Sequence, residues 1–296
     1  MLYEICNGKL TAAVSSRGGE LTRLSAFGRE LLWKGDPAFW EGHSPNLFPV
    51  CGRLRGLRYV LDGREYPMPP HGFIKDCELI PSEITRDTLT FLYRPDADAK
   101  QYYPFDYRLE LSFRLEGQSL LYAISVTNDG GRDMYFAWGG HPGFGLPLDP
   151  GHDFEDYNIV FGAPCSPVAM EITPDGYVGP GRTRVQLEDG VKLPLKRSYF
   201  EIDGLFMTGT PGALTLEGPG KTKITLEYPD CPTLGLWTSN GGNAPFICVE
   251  PWSGTPDRAD GPLPCRLESK PDMIKLAPGE TYRGHYAVTA SIGEKQ

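Results

Sequence analysis

The sequence predicts an all-β protein made of antiparallel strands with very little helix, and two observations support this fold class. First, 36 glycines and 28 prolines together account for 64 of the 296 residues, against roughly 12 % in average proteins, and such residues separate many short strands. Second, apolar and polar residues alternate along the chain, whereas no segment carries a sustained apolar stripe with the period of a helix. We expect residues 1–296 to form one large domain.

The clearest strand pair spans residues 107–126. From Tyr107 to Leu115 every second residue is apolar and the residues between are polar, which gives a strand one buried and one solvated face. The turn sequence "EGQS" follows, and the alternation resumes from Leu120 to Val126. We therefore predict an antiparallel hairpin here.

Turn signals predict two further hairpins. Asp62-Gly63 within residues 59–66 favours a type I′ turn, and residues 214–228 turn at Gly218-Pro219-Gly220. The second stretch contains "GPGKT", but Thr215 stands where a phosphate-binding loop requires glycine, so we interpret it as a hairpin tip. Asp36 and Pro37 predict one helical turn. Other strands are expected at 9–15, 20–26, 29–33, 88–94, 134–138, 157–162, 234–238, 246–250 and 282–290.

The composition limits the possible partners. A net charge of −9 supplies no excess of Lys and Arg to replace the counterions of a nucleic acid. No apolar run approaches the roughly 18 residues of a membrane span, and the N-terminus lacks a basic region followed by a long apolar run, so a cytoplasmic protein is expected. Seven cysteines without C-x-x-C spacing predict reduced, mostly buried thiols. A monomer and a homodimer are equally compatible with the sequence.

Two of the five histidines lie in loops of unusual composition. His71 follows two prolines, whose fixed φ angles stiffen the loop, and it precedes Gly72, which we expect to let a ligand approach the backbone. His141 follows Gly139-Gly140 at the end of a predicted strand, where loops often carry functional residues. Each is a candidate site residue, and a loop histidine bonded to a nearby carbonyl is the alternative interpretation.

Glu250 is the candidate general base. It ends the apolar strand "PFICVE" and is followed by Pro251-Trp252. A carboxyl group that leaves a buried strand beside tryptophan can have a raised pKa, which suits a base working near neutral pH; a surface carboxylate is the alternative. Trp138, Trp237 and Trp252 could each stack on a sugar ring or fill the core instead.

Two further polar residues are candidates for ligand binding. Arg53 lies in a glycine-flanked loop and offers donors to ligand hydroxyls, with a solvated basic face shared with Arg55 and Arg58 as the alternative. Asp203 is flanked by apolar residues next to Gly204, where an Asx turn is also compatible. The histidines lack H-x-x-x-H or H-x-E spacing, and no acidic cluster matches a calcium loop, so no metal site is predicted.

Five segments occur in a characteristic order along the chain: "NLFPVCGRL", "PPHGFIKD", "VTNDG", "WGGHPGF" and "VEPWSG". Together they resemble the aldose 1-epimerase (galactose mutarotase) family, from about residue 20 to about residue 290. The resemblance implies a large antiparallel β-supersandwich, a small-molecule sugar as substrate, and chemistry that uses no cofactor and no metal. The implied fold agrees with the strand pattern.

The resemblance also implies catalytic roles for three residues. Glu250 matches the family's catalytic base, and His141 matches its general acid. His71 matches the second histidine at the sugar ring, and Arg53 matches a ligand of the sugar hydroxyls.

Four other residues are implied as substrate-binding positions: Asp203, Phe73, Trp252 and Lys75. Phe73 follows the histidine of "PPHGF", and Trp252 follows the glutamate of "VEPWSG". Many relatives carry arginine where this chain has Lys75. Lysine keeps the positive charge but loses the bidentate fork, so ligand contacts near that loop could differ.

The expected activity is interconversion of the α and β anomers of a free aldohexose by acid–base ring opening and reclosure. A hexose-phosphate 1-epimerase is the first alternative, with Arg53, Arg55, Arg58 and Lys75 as candidate phosphate ligands. A non-catalytic carbohydrate-binding protein is the second, although a complete set of one base and two histidines has no use in a pure binder. A glycosidase would need two carboxylates across one bond, and only Glu250 is a candidate.

Overall fold

The computed structural model describes residues 1–293, so the last three residues of the predicted domain, 294–296, lie outside the described part. Its seven helices in this range are 3₁₀ helices of three or four residues, at Arg55–Leu57, Ile74–Asp76, Ala99–Gln101, Phe154–Asp156, Arg197–Phe200, Asn240–Gly242 and Leu267–Ser269. Over the same range, no helix has the length and apolar character needed to cross a membrane.

The remaining regular structure consists of β-strands. Numbered β1–β25 in chain order within residues 1–293, they are Leu2–Cys6, Leu10–Ser15, Leu21–Ala26, Arg29–Glu30, Asn46–Leu47, Arg58–Leu61, Arg64–Pro67, Ile80–Ile84, Thr88–Tyr93, Tyr107–Glu116, Ser119–Asn128, Met134–Phe136, Gly139–Gly140, Gly143–Gly145, Asn158–Phe161, Val168–Ile172, Val178–Arg184, Lys192–Pro194, Leu205–Thr208, Ala213–Glu217, Thr222–Glu227, Thr233–Trp237, Phe246–Trp252, Ile274–Leu276 and Thr281–Ile292.

Two large antiparallel sheets form the body of the fold. The nine-stranded sheet has the order β18-β15-β20-β21-β25-β11-β10-β9-β8. The eight-stranded sheet has the order β17-β16-β19-β22-β23-β13-β5, with β14 also paired to β23. A four-stranded sheet (β1-β2-β3-β4) and the pairs β6-β7 and β12-β24 complete the described sheets. The predicted all-β supersandwich with very little helix is confirmed.

The hairpin of β10 and β11 shows how the alternating pattern builds the nine-stranded sheet. Tyr107 pairs with Asn128, and the register continues without a shift to the pair of Glu116 and Ser119. Apolar residues of β10 are buried, while the residues between them are half-buried or exposed on the other face. The hairpin predicted at 107–126 is therefore confirmed and extends two residues further, to Asn128.

Strand β23 is buried on both faces. Ile247 and Val249 belong to the main apolar core, which contains residues of both large sheets. Cys248 and Trp252 belong to two smaller apolar clusters. Because successive side chains of a strand point to opposite faces, Glu250 shares the face of Cys248 and Trp252. One carboxyl group is thereby directed away from the main core.

Most of the other predicted elements are present. The hairpins expected at 59–66 and 214–228 are β6–β7 and β20–β21. Asp36 forms a single turn, in which its carbonyl accepts the N–H of Trp40 at 2.9 Å and its carboxylate accepts the N–H of Ala38 at 3.0 Å. The strand expected at 29–33 is shorter than predicted, since β4 covers only two residues.

The cysteines have the state that the sequence predicts. All seven are free thiols, and none is fully exposed. Four are buried and three are half-buried: Cys51, Cys231, Cys248 and Cys265, then Cys6, Cys77 and Cys165.

Backbone hydrogen bonds hold the loop that carries His71 against the segment around Phe48. The N–H of His71 donates to the Gly52 carbonyl at 2.7 Å, and the N–H of Phe48 donates to the His71 carbonyl at 3.2 Å. Gly72 has a φ of +74°, and a Cβ there would lie 2.0 Å from the carbonyl oxygen of Phe48. Gly72 therefore makes room for a carbonyl of its own chain, which corrects the expectation that it admits a ligand.

We expect Gly72→Ala to lower the free energy of unfolding by more than about 3 kcal/mol, because the methyl group meets the Phe48 carbonyl while left-handed backbone alone costs roughly 1–2 kcal/mol. Gly63→Ala is the matched control, since Gly63 has a φ of +77° and nothing within 4 Å of its added Cβ. Urea denaturation of both variants measures the difference. Equal losses would contradict the steric explanation.

Candidate active site

A cleft of about 810 Å³ is lined by the eight-stranded sheet and by loops around residues 40–45, 52–53 and 71–76. Seven of the eight predicted site residues line this cleft: Arg53, His71, Lys75, His141, Asp203, Glu250 and Trp252. The structure thus brings together candidate residues from widely separated segments. Phe73 is absent from the lining. It is 5 % exposed and stacks on Tyr102 with ring centroids 5.8 Å apart.

Glu250 lies at the floor of the cleft. It pairs with Gly235 of the neighbouring strand β22, and a Cβ on Gly235 would lie 2.7 Å from the Phe206 ring and 3.2 Å from the Glu250 Cβ. The Glu250 side chain is 1 % exposed, where an ionised carboxylate is costly. Burial therefore raises the pKa of Glu250 well above its ordinary value, and the charge of Asp203 raises it further.

The two glycines before His141 allow its segment to approach β23 and β25. A Cβ on Gly139 would lie 2.6 Å from Cδ1 of Trp252, and a Cβ on Gly140 would lie 2.7 Å from the Tyr286 ring. Larger residues would push this segment away from its neighbours. The glycine pair that marks His141 in the sequence is thus explained by close packing.

His141 and Glu250 form a close buried pair. His141 Nε2 lies 3.1 Å from Glu250 Oε2. Burial lowers the pKa of His141 to about 4, whereas burial raises the pKa of Glu250. Both shifts disfavour charge, so one titratable proton belongs to the pair as a unit over a wide pH range. Such a pair can accept a proton at one atom and donate one at the other, as coupled acid–base catalysis requires.

His71 faces this pair as a neutral donor. Its ring centroid lies 5.5 Å from those of His141 and Trp252. The N–H of Gly52 donates to His71 Nδ1 at 3.2 Å, so in the neutral ring the proton is on Nε2. Burial, and then the positive charge that His141 can carry, hold the pKa of His71 well below its usual value. The residue therefore offers a fixed N–H donor.

The walls of the cleft carry the charged candidates. Arg53 is exposed, and Asp203 is half-buried, so that desolvation raises the pKa of Asp203 although Arg53 opposes the shift. Lys75 Nζ lies 2.8 Å from Asp76, whose carboxylate also accepts from Arg17 at 3.0 Å. The charge of Lys75 is thus neutralised at the rim by its neighbour in sequence.

Aromatic rings form much of the remaining lining, and sequence reasoning found only some of them. Trp237, one of the three tryptophans considered for stacking on a sugar ring, lines the cleft. Trp138, another of the three, is fully buried and fills the core. Trp40 and Phe206 were not predicted. The Trp40 ring lies 5.1 Å from His141, and Phe206 lies 4.7 Å from Trp252. No local pattern marks either residue, because each reaches the site through tertiary contacts.

A buried ion network supports the wall that carries Arg53. Lys270 Nζ lies 2.9 Å from Asp272 and 3.8 Å from Asp257, and the Lys270 side chain is only 7 % exposed. Asp257 donates its backbone N–H to the carbonyl of Arg53 at 2.9 Å. Asp272 accepts hydrogen bonds from the N–H and hydroxyl of Thr255. Lys270 thus links the loop that contains Asp257 to the loop that contains Asp272, next to the cleft.

Within residues 1–293, one group of potential metal ligands lies at and directly behind the cleft floor. Ligand atoms of His141, Cys248 and Glu250 all lie within 4.8 Å of one another, and all three residues are buried. Cys248 was not identified from the sequence, because spacing rules for metal ligands do not detect residues that meet across strands.

Comparisons with known proteins agree with this architecture. A family model described as aldose 1-epimerase matches residues 1–289. Protein LacX (plasmid) of Lactococcus lactis subsp. lactis is 31 % identical over 304 residues, which cover 98 % of this chain and 99 % of LacX. A galactose mutarotase related enzyme from Lactobacillus acidophilus superposes with a TM-score of 0.93 at 27 % identity, over 100 % of this chain and 99 % of that one.

A galactose mutarotase-like protein from Lactobacillus casei ATCC 334 has a TM-score of 0.90 at 29 % identity, covering 98 % of this chain and 100 % of that one. The two large antiparallel sheets and the cleft on one of them define a galactose mutarotase-like protein. The chain belongs to the aldose 1-epimerase family.

We expect Lys270→Met to lower the free energy of unfolding by about 3–5 kcal/mol, because it leaves the buried Asp257 carboxylate and the half-buried Asp272 carboxylate without their cation. Lys275→Met is the control: Lys275 pairs with Asp133 at 2.7 Å, but its side chain is 59 % exposed, so a loss of at most about 1 kcal/mol is expected. Urea denaturation compares the variants. Similar losses for both would show that the buried network contributes no more than a surface pair.

Proposed function

We propose that the protein is an aldose 1-epimerase that interconverts the α and β anomers of a free aldohexose. The observation that supports this most directly is the buried pair of His141 and Glu250, 3.1 Å apart at the floor of an open cleft. Mutarotation needs one group to take a proton and another to give one at neighbouring oxygens of the same sugar. The pair offers both.

The steps of ring opening follow from which residue of the pair carries the proton. With its proton on His141, the pair presents the Glu250 carboxylate to the C1 hydroxyl and His141 Nε2–H to the ring oxygen. Glu250 takes the hydroxyl proton, the bond between C1 and the ring oxygen breaks, and His141 protonates the leaving oxygen. The pair still holds one proton, now on Glu250. Rotation about the C1–C2 bond and reversal of these steps give the other anomer.

The remaining lining residues bind and orient the sugar in this proposal. His71 donates its Nε2–H to the ring or to charge that develops on it. Arg53 and Asp203 bind hydroxyl groups from the wall, and the Trp252 ring packs against the apolar face of the sugar. Phe73 acts only indirectly, by packing in the core beside the His71 loop.

The charges of the cleft favour an uncharged sugar over a sugar phosphate. Apart from Glu250, which forms a neutral pair with His141, four carboxyl groups and three cations line it: Glu20, Glu41, Asp76 and Asp203, then Arg17, Arg53 and Lys75. Two of the cations, Arg17 and Lys75, pair with Asp76. A phosphate group, with a charge of about −1.5 to −2, would meet a surplus of negative groups. That the protein works in the cytoplasm, as a monomer or a homodimer, stays a prediction from the sequence.

Anomer exchange of α-D-glucose and α-D-galactose, followed by NMR, tests the proposal. We expect the wild type to accelerate the exchange of at least one of these sugars. Glu250→Gln and His141→Ala should each lower kcat by about 10²–10⁴-fold, because each removes one proton transfer. Glu83→Gln, on the exposed face of β8, is the control and should be unaffected.

Other outcomes would point to the alternatives. Acceleration of glucose 6-phosphate without that of free sugars would indicate a hexose-phosphate epimerase. Sugar binding by both wild type and Glu250→Gln, with no acceleration by either, would indicate a carbohydrate-binding protein.

The catalysed rate should follow a bell-shaped pH profile. As the pH falls through about 4, the pKa of His141, both groups of the pair become protonated and no base remains. As the pH rises through the raised pKa of Glu250, the pair loses its only proton and no acid remains. NMR exchange rates, corrected for spontaneous mutarotation at each pH, measure the profile. If the rate instead fell at acid pH with a midpoint near 6.5, the pKa of His141 would not be lowered by burial, which would contradict this explanation.

A further inference from the structure

Cys248 stands next to the proposed catalytic pair without a role in the proton transfers. It lies two residues before Glu250 on β23, so both side chains share one face of the strand. A Cβ added to Gly143, two residues after His141, would lie 3.3 Å from the Cys248 Sγ. A thiol, an imidazole nitrogen and a carboxylate thus converge from two chain segments.

The three donors have the separation of a metal site. Their ligand atoms lie within 4.8 Å of one another, and metal–ligand bonds of about 2.0–2.3 Å allow one ion to reach all three after small side-chain shifts. Both oxygens of Glu250, a residue that is 1 % exposed, lack a hydrogen bond within residues 1–293: His141 Nε2 lies 3.1 Å from Oε2 but is not aligned for one. A buried carboxyl group without hydrogen bonds has free lone pairs that can bind a ligand such as a metal ion.

We propose that His141 Nε2, Cys248 Sγ and the Glu250 carboxylate bind a thiophilic divalent cation, with Zn²⁺ as the best match, and that the bound ion blocks the cleft floor. A mixed nitrogen, sulfur and oxygen donor set suits Zn²⁺ better than Mg²⁺ or Ca²⁺, which prefer oxygen ligands. His141 and Glu250 line the cleft, so an ion held by these two residues and Cys248 would lie at the cleft floor.

The same geometry predicts a reversible, inhibitory ion. Zinc on His141 Nε2 and Glu250 occupies the atoms that move protons in the proposed mutarotation, and its binding releases the proton of the pair and that of the thiol. His141 Nδ1 has no hydrogen-bond partner in residues 1–293, whereas the zinc-binding histidines of strong sites are anchored through their second nitrogen. We therefore expect weaker binding than at a structural zinc site.

Cobalt substitution tests the site without any assay of activity. Titration of the wild type with Co²⁺ should give one equivalent of bound ion with a thiolate-to-cobalt charge-transfer band. Cys248→Ser should lose this band, and Cys231→Ser, which alters another buried cysteine, should keep it. If Cys248→Ser fails to fold, His141→Ala replaces it, because it removes a second ligand. A band of equal strength in the ligand variants, or its absence from the wild type, would overturn the proposal.

The inhibition rests on the proposed epimerase activity and has its own measurement. Zn²⁺ should slow anomer exchange by the wild type, in competition with sugar, and EDTA should restore the rate. Cys248→Ser should raise the Zn²⁺ concentration for half-inhibition, measured relative to the variant's own uninhibited rate, by at least about 10-fold. Equal sensitivity of the two proteins would refute inhibition through this site. An inactive wild type that still shows the cobalt band would refute only the epimerase activity.

Discussion

The site depends on burying one carboxyl group beside one imidazole. At the surface, Glu250 would be ionised, His141 would titrate near neutrality, and the two would form an ordinary ion pair. With Glu250 on β23 only 1 % exposed and His141 after β13 only 8 % exposed, the cost of isolated charge moves the two pKa values in opposite directions. The pair then holds a single proton that either atom can carry, and the proposed chemistry uses this property.

Glycine makes such close packing possible around the cleft. Gly139 and Gly140 let the His141 segment lie against Trp252 and Tyr286, and Gly235 makes room for Phe206 beside β23. At these positions glycine serves close packing of the backbone against aromatic rings, not flexibility of the chain. The high glycine content of the chain therefore reflects the packing of rings and strands as well as the number of turns.

The local sequence pattern was sufficient to predict the hairpins but not to predict two strands at sheet edges. The β10–β11 hairpin was predictable because each strand has one buried and one solvated face. Strand β8 at the edge of the nine-stranded sheet is exposed along nearly its whole length, and β17 at the edge of the other is mostly exposed. Without a buried face there is little alternation to detect, so these two strands were missed.

The antiparallel β class and the hairpin turns could be predicted from the sequence, because strand alternation and turn residues are properties of neighbours in the chain. The same holds for the candidate residues Glu250, His141 and His71, which stand at a strand end or in glycine- and proline-rich loops. The position of Phe73 in the core, that of Cys248 beside the His141–Glu250 pair, and the opposite pKa shifts of that pair depend on tertiary contacts. These features arise where distant segments meet and exclude water, which no local pattern records.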